Sequence, residues 1–95
     1  MNQDLEFIRQ TIFKYLDPTE VQAFIFGSRA TDKAQKFSDY DIGLISEISI
    51  DPEKFYSIVD DLDNSDLPYR IDLVNFKYVS EDFKQVALKQ IIKLN

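Results

Sequence analysis

Apolar residues spaced three or four positions apart predict three helices in this chain, because that spacing places them on one helix face. The three segments are residues 4–16, the stretch that starts at Asp51-Pro52 and the stretch that starts at Ser80. Aspartate and serine are favoured helix N-caps, and proline is favoured in the first turn, so the second and third helices have clear starting points. Asn2 and Asp4 are both candidate N-caps for the first helix.

Short apolar runs, rich in aromatic and β-branched residues, predict three strands. These runs occupy residues 21–26, 40–45 and 69–76. Residues 29–36 are polar, and they predict one or two helical turns followed by a loop. The tail at 91–94 fits either a continuation of the last helix or a short edge strand, and we favour the strand.

The order of helices and strands predicts a two-layer α/β (α+β) domain in which helices pack on a small sheet. The chain has 95 residues, of which 44% are hydrophobic and 14% aromatic. A chain of this size and composition buries enough surface for one modest core. It contains no linker, repeat or low-complexity segment, so we expect residues 1–95 to form a single domain.

Histidine and cysteine are both absent from the chain. Their absence excludes Ser-His-Asp and Cys-His nucleophiles, histidine-ligated zinc and disulfide chemistry, and it leaves acid–base work to carboxylates, lysines and tyrosines. The net charge of −6 disfavours the binding of long nucleic acid, although a small anion needs only a metal and a few local cations.

Nothing in the hydropathy pattern predicts contact with a membrane. No apolar run approaches the ~20 residues that a membrane-spanning helix needs. The N-terminus shows neither the basic nor the apolar region of a signal peptide. We therefore expect no membrane partner and a cytoplasmic location.

A glycine–serine pair and three aspartates lie at the ends of the predicted strands or within them. Gly27-Ser28 closes the first strand, where backbone N–H groups at a helix start favour an anion. Asp39 and Asp41 open the second strand, whose alternation points both carboxylates the same way, and Asp72 interrupts the third. Close carboxylates repel each other unless a cation joins them, and oxygen-only ligands favour Mg²⁺ or Mn²⁺. Together these residues suggest a site for a metal-bound nucleotide.

Each of these features also has an explanation that needs no ligand. A lone Gly27-Ser28 pair fits an ordinary strand-to-helix turn, and it matches neither the P-loop nor the dinucleotide motif. Asp39 and Asp41 are also compatible with solvated acids on an edge strand. Arg70 lies two positions before Asp72 on the same strand face, which offers a structural ion pair.

Gly43 lies on the same predicted strand face as Asp39 and Asp41. Glycine inside a strand costs stability, and it marks either the close approach of a ligand or a bulge. The sequence leaves these two explanations open. With Ser38 beside the two carboxylates and Gly43 beyond them, we expect open space on this face.

The stretch Gly27-Ser28-Arg29-Ala30, followed by 38–42 and then by 71–73, resembles the signature of the nucleotidyltransferase superfamily with the DNA polymerase β fold. The length is similar to that of its smallest branch, the MNT-type minimal nucleotidyltransferases, and the resemblance covers nearly the whole chain. It implies a two-layer nucleotidyltransferase fold with a small mixed sheet. One position departs from the pattern, because Asp32 stands where family members often have a glycine.

The resemblance implies a role for each residue of the candidate site. ATP would be the donor, Mg²⁺, as two ions, would be the metal, and attack on the α-phosphate would transfer AMP and release pyrophosphate. Asp72 would complete the metal site and help to deprotonate the acceptor hydroxyl. The nucleotide-binding residues would be Gly27, Ser28 and Arg29, and the residues for both metal binding and catalysis would be Asp39, Asp41 and Asp72.

The MNT-type branch is similar to the antitoxin half of HEPN/MNT toxin–antitoxin pairs. The resemblance therefore implies a HEPN-type toxin as the partner and a tyrosine hydroxyl on it as the acceptor of AMP. The alternative is a non-catalytic antitoxin that neutralises its partner by direct contact, and a homo- or hetero-oligomer is compatible with both. Three converging carboxylates favour the enzyme, since a pure binder has no need of them.

Overall fold

The computed structural model describes residues 2–35 and 38–95, and it shows a four-stranded sheet with helices packed on it. The α-helices in the described residues are α1 (Gln3–Phe13), α2 (Pro52–Asp63) and α3 (Glu81–Ala87). The strands are β1 (Val21–Phe26), β2 (Tyr40–Ser46), β3 (Ile71–Asn75) and β4 (Ile92–Lys93). Two short 3₁₀ helices occupy Gly27–Ala30 and Phe76–Tyr78. The predicted fold class is confirmed.

The helix starts follow from their caps. The Asn2 side chain accepts a hydrogen bond from the Leu5 amide at 2.8 Å, so Asn2 rather than Asp4 caps α1. Asp51 caps α2 with Pro52 in its first turn, and Ser80 caps α3, both as predicted. Helix α1 ends at Phe13, three residues before the predicted end at 16. None of the described helices has both the length and the apolarity to cross a membrane.

The sheet has the order β3-β2-β1-β4, and it is mixed. Strand β1 pairs antiparallel with both β2 and β4, whereas β2 and β3 are parallel. The tail is therefore an edge strand, as predicted. Strand β3 is shorter than the predicted 69–76, since its pairing with β2 begins at Ile71 and a 3₁₀ turn takes over at Phe76. The predicted turn at 29–36 is the 3₁₀ helix Gly27–Ala30 and a loop, although Lys36 lies outside the described residues.

Alternate residues of β1, β2 and β3 contribute to two apolar clusters, one on each face of the sheet. The larger cluster joins the sheet to α1 and α2, and its most buried members include Ile8, Ile42 and Ile58. The smaller cluster lies on the other face under α3, and it is centred on Phe24, Phe26 and Phe76. Because Asp41 and Asp72 alternate with residues of the larger cluster, they share the face of the smaller one.

Gly43 neither opens space for a ligand nor forms a bulge, so both sequence explanations were wrong. It pairs regularly with Phe24 across β1 and β2. A Cβ on Gly43 would lie 2.4 Å from the Phe24 ring and 2.7 Å from the Phe76 ring. Glycine is required here because these two rings, 5.0 Å apart between centroids, pack directly over the backbone. The space that we expected beside the carboxylates is filled by this aromatic cluster.

Candidate functional site

The turn after β1 brings Gly27 against Asp41. Gly27 has a φ of +74°, in the left-handed region that glycine adopts at low cost. Phe26 pairs with Asp41 in the sheet, so the next residue faces the Asp41 side chain. A Cβ on Gly27 would lie 2.3 Å from Asp41 Oδ2. The glycine–serine turn and the second aspartate of the predicted site are therefore in direct contact.

Asp41 and Asp72 are register partners on the parallel strands β2 and β3. Neighbouring strands lie about 4.8 Å apart, so these two carboxylates leave the same sheet face side by side. Asp39 is exposed and precedes the first residue of β2, so strand alternation does not by itself fix its direction. The structure thus brings Asp41 and Asp72 together and places Asp39 at the end of the same strand.

The Asp41 carboxylate is affected by burial and by the charges of the other two aspartates. Burial raises the pKa of Asp41, and the charges of Asp72 and then of Asp39 raise it further. Two like charges nearby disfavour a third, so this arrangement is costly unless a cation offsets it. Within residues 2–35 and 38–95, however, no three acidic side chains converge closely enough to form a ready-made metal cluster.

Asp72 has a partner in this structure, because Arg70 Nε lies 3.0 Å from Asp72 Oδ1. This is the ion pair that the sequence offered as an alternative. The Arg70 side chain is 74% exposed and that of Asp72 is 38% exposed. Exposed pairs contribute little because water and salt screen them. Arg70 therefore can be displaced at small cost by a stronger cation.

A groove of about 490 Å³ runs from the Gly27 turn to α3. Its inner end carries Gly27 and Asp41, its outer wall is apolar, and Lys89 adds a cation. A larger groove of about 580 Å³ lies at the opposite end of β1 and β2, away from the carboxylates. The contribution of α3 was not predicted, although the apolar residues of that helix were an available signal. The α3-side lining residues are Phe83, Val86, Ala87, Lys89 and Gln90.

Arg29 lies apart from this groove. Its Nε and Nη2 donate hydrogen bonds to the Ser38 carbonyl at 3.1 and 2.7 Å. Its guanidinium lies over the Tyr40 ring, 4.3 Å from the centroid. Tyr40 belongs to the larger core cluster, on the sheet face away from Asp41. The role of Arg29 in nucleotide binding stays a prediction, and its placement points to a different one.

The backbone conformation of Asp32 accounts for its presence where family members often have a glycine. Its φ is +60°, a conformation that favours glycine and that aspartate tolerates better than most residues. Its side chain is exposed. The residue thus keeps the backbone shape that a glycine would give, and it turns its carboxylate to solvent.

We expect Gly27→Ala to reduce activity more than stability. A left-handed alanine costs about 1–2 kcal/mol, and its Cβ must displace the Asp41 carboxylate. The matched control is Gly43→Ala, which must move the Phe24 and Phe76 rings and costs about 1–3 kcal/mol without touching Asp41. Urea melts, together with the nucleotidyl transfer that the family resemblance implies, measured on both variants, check this. Equal activity per folded molecule in the two variants would contradict the contact between Gly27 and Asp41.

Comparison with known proteins identifies the class. Residues 10–94 match the family model described as polymerase beta, nucleotidyltransferase. The chain belongs to this nucleotidyltransferase family, which confirms the resemblance seen in the sequence. Within it, the chain is similar to the probable protein adenylyltransferase MntA of Haemophilus influenzae. The two are 38% identical over 82 residues, which cover 86% of this chain and 71% of that protein.

Solved structures share the fold. A toxin–antitoxin structure with AMP-PNP matches with a TM-score of 0.71 and 21% identity, over 100% of this chain and 73% of that chain. A tri-AMPylated HEPN toxin of Shewanella oneidensis in complex with an MNT antitoxin also provides a match. Its TM-score is 0.62 at 22% identity, over 96% of this chain and 71% of that chain. At such identities these likenesses establish the common fold.

Proposed function

We propose that this chain is a Mg²⁺-dependent protein adenylyltransferase that moves AMP from ATP to a hydroxyl on a HEPN-type toxin, and so acts as the antitoxin. The observation that carries the proposal is the contact between the Gly27 turn and Asp41, with Asp72 beside it. A phosphate-binding turn packed against paired carboxylates suits a metal-bound triphosphate. The relatives named above extend the proposal to the partner, since they include an adenylyltransferase and an antitoxin bound to an AMPylated toxin.

The residues present fit Mg²⁺. Asp39, Asp41 and Asp72 offer only oxygen ligands. Burial raises the pKa of Asp41, the charges of Asp72 and Asp39 raise it further, and a cation would offset this cost. When bound, Mg²⁺ supplies charge neutralisation on the phosphates and on the leaving oxygen. Asp72 would have to leave Arg70 to join it, at the small cost of an exposed ion pair.

The chain's own groups divide the reaction between donor and acceptor. Gly27 and Ser28 bind the triphosphate through backbone N–H groups and the serine hydroxyl. The acceptor oxygen attacks the α-phosphorus, its bond forms as the bond to the β-phosphate oxygen breaks, and pyrophosphate leaves. Asp72 takes the hydroxyl proton. AMP is then esterified to the acceptor, and no further reactant is required.

The deciding experiment is incubation with ATP labelled on the α-phosphate, with Mg²⁺ and with a HEPN-type toxin protein. Transfer of this label to the HEPN protein supports the adenylyltransferase. A parallel incubation with ATP labelled on the γ-phosphate tests for a kinase, which would transfer that label instead. Toxin neutralisation without any label, by wild type and by Asp41→Asn alike, would overturn the enzyme and establish the contact-only antitoxin.

Ser28→Ala is expected to weaken ATP binding by about tenfold or more. The substitution removes one hydrogen-bond donor to the triphosphate, while the backbone amides remain as donors. A hydrogen bond to a charged group is worth about 1.5–3 kcal/mol. Calorimetry with ATP and Mg²⁺ measures the affinity. Ser49→Ala is the control, because Ser49 accepts from Lys77 at the far end of β2. Unchanged affinity in Ser28→Ala would remove Ser28 from the donor site.

A further inference from the structure

Arg29 binds the backbone just before β2, the strand that carries Asp41. Its Nε and Nη2 both donate to one oxygen, the Ser38 carbonyl, and Ser38 immediately precedes Asp39. Arg29 itself lies two residues after Gly27, in the 3₁₀ turn that follows β1. One side chain thus joins the phosphate-binding turn to the residues that carry the carboxylates.

The guanidinium is fixed by aromatic rings on its other side. It lies 4.3 Å from the Tyr40 ring centroid and 5.1 Å from that of Tyr69. The two rings are 4.7 Å apart, and the Tyr69 hydroxyl donates a hydrogen bond to the Asp4 carboxylate of α1. Tyr40 is buried, and it separates Asp39 from Asp41 in the sequence. Stacking on these rings therefore ties Arg29 to the core and to the strand that presents Asp41.

These contacts place the guanidinium away from the groove that Gly27 and Asp41 line. Asp41 and the groove beside Gly27 lie on the sheet face of the aromatic cluster. Tyr40 packs into the larger cluster on the opposite face. Arg29 does not line the groove that Gly27 and Asp41 share.

We propose that Arg29 is a positioning residue, which sets the Gly27 turn and the Asp39–Asp41 segment in register through the Ser38 carbonyl and the Tyr40 ring. This inference rests on the proposed nucleotidyl transfer for its catalytic consequence, although the positioning itself does not require activity. A displacement of reacting groups by about 1 Å costs about 10²-fold in rate. The guanidinium should therefore affect turnover rather than ATP binding.

Lysine distinguishes positioning from charge. It keeps the positive charge, but it lacks the planar fork that gives two donors to one oxygen and stacks on rings. If Arg29 served the triphosphate as a point charge, Arg29→Lys would largely retain function. If it positions the carboxylates, Arg29→Lys should lower kcat about 10²-fold and leave the KM for ATP unchanged. Arg9→Lys is the matched control, because Arg9 Nε also donates to a backbone carbonyl, that of Leu94, far from the site.

Hydrogen–deuterium exchange provides a readout that does not depend on activity. In Arg29→Lys, the backbone amides at 38–41 should exchange faster than in the wild type, whereas those of α1 and α2 should keep their protection. In the control Arg9→Lys, the amides at 38–41 should exchange at the wild-type rate. Wild-type kcat in Arg29→Lys, or a loss confined to the KM for ATP, would overturn the proposal. If the wild type transfers no AMP, the proposed function fails, and exchange alone decides: unchanged exchange at 38–41 overturns the positioning role, and faster exchange supports it.

Discussion

Asp41→Asn is expected to abolish AMP transfer and, at the same time, to raise the melting temperature of the metal-free protein. Asp41 lies beside Asp72, within the field of Asp39 and against Gly27, and burial with these charges raises its pKa. Substitution of a residue that hydrogen-bonds to a metal ligand costs about 10–100-fold in metal affinity or activity. Loss of a direct ligand should therefore lower activity about 10²-fold or more. The same substitution removes the repulsion between the Asp41 charge and those of Asp72 and Asp39, and this should raise the melting temperature.

The sign of the stability change follows from proton binding. A carboxylate whose pKa is higher in the folded state binds its proton more tightly there, so folding stability falls as pH rises through that range. Above that range Asp41 is charged in both states, and the folded state bears the full cost. Asparagine has nearly the same shape and no charge, so the variant should be more stable. The advantage should shrink as pH falls through the raised pKa toward the ordinary aspartate value of about 3.9.

Thermal melts from neutral to acidic pH, with and without Mg²⁺-ATP, measure both effects. Wild type should gain stability from Mg²⁺-ATP, because the ligand binds only the native state, and Asp41→Asn should lose most of that gain. Asp60→Asn, an exposed acid on α2, should behave as wild type. A Mg²⁺-ATP shift of equal size in wild type and Asp41→Asn would exclude Asp41 from the metal site.

The strands and caps could be predicted because their signals are local. β1 matches its prediction residue for residue, since an apolar run bounded by Pro18 and Gly27 leaves little choice of limits. Ser80 and Asp51 cap the helices that they were expected to cap. The ends of α1 and β3 depend instead on where tertiary pairing begins and stops, and the sequence does not display that.

The site could be predicted in its residues but not in its surroundings. The sequence selects Asp41 and Asp72 as candidate ligands, but the parallel register of β2 and β3 is what places them side by side on one face. Glycine is required at position 43 because of two aromatic rings, one from β1 and one from the turn after β3. These rings lie 19 and 33 positions away along the chain. Such packing is a property of the assembled sheet. The same holds for Arg29, whose partners Ser38 and Tyr40 lie across a loop.

Asp72→Asn is expected to lower AMP transfer about 10²–10⁴-fold while part of the Mg²⁺-ATP affinity remains. Asparagine keeps the shape of the side chain, but it can neither accept the hydroxyl proton nor contribute a metal charge, and a positioned base is worth that range in rate. Asp41 and the Gly27 turn, which are in contact, are untouched, and under the proposed function they still hold the nucleotide. The loss should therefore appear in kcat more than in ATP affinity measured by calorimetry.

Arg70→Gln separates this role from the structural one. If Asp72 served only as the partner of Arg70, removing either member of the pair would have the same effect. The Arg70 side chain is 74% exposed, so breaking the pair should change stability little. Under the proposed role, Arg70→Gln frees the Asp72 carboxylate and retains transfer, whereas Asp72→Asn stops it. Wild-type transfer by Asp72→Asn, or equal losses in the two variants, would reduce Asp72 to an ion-pair partner of Arg70.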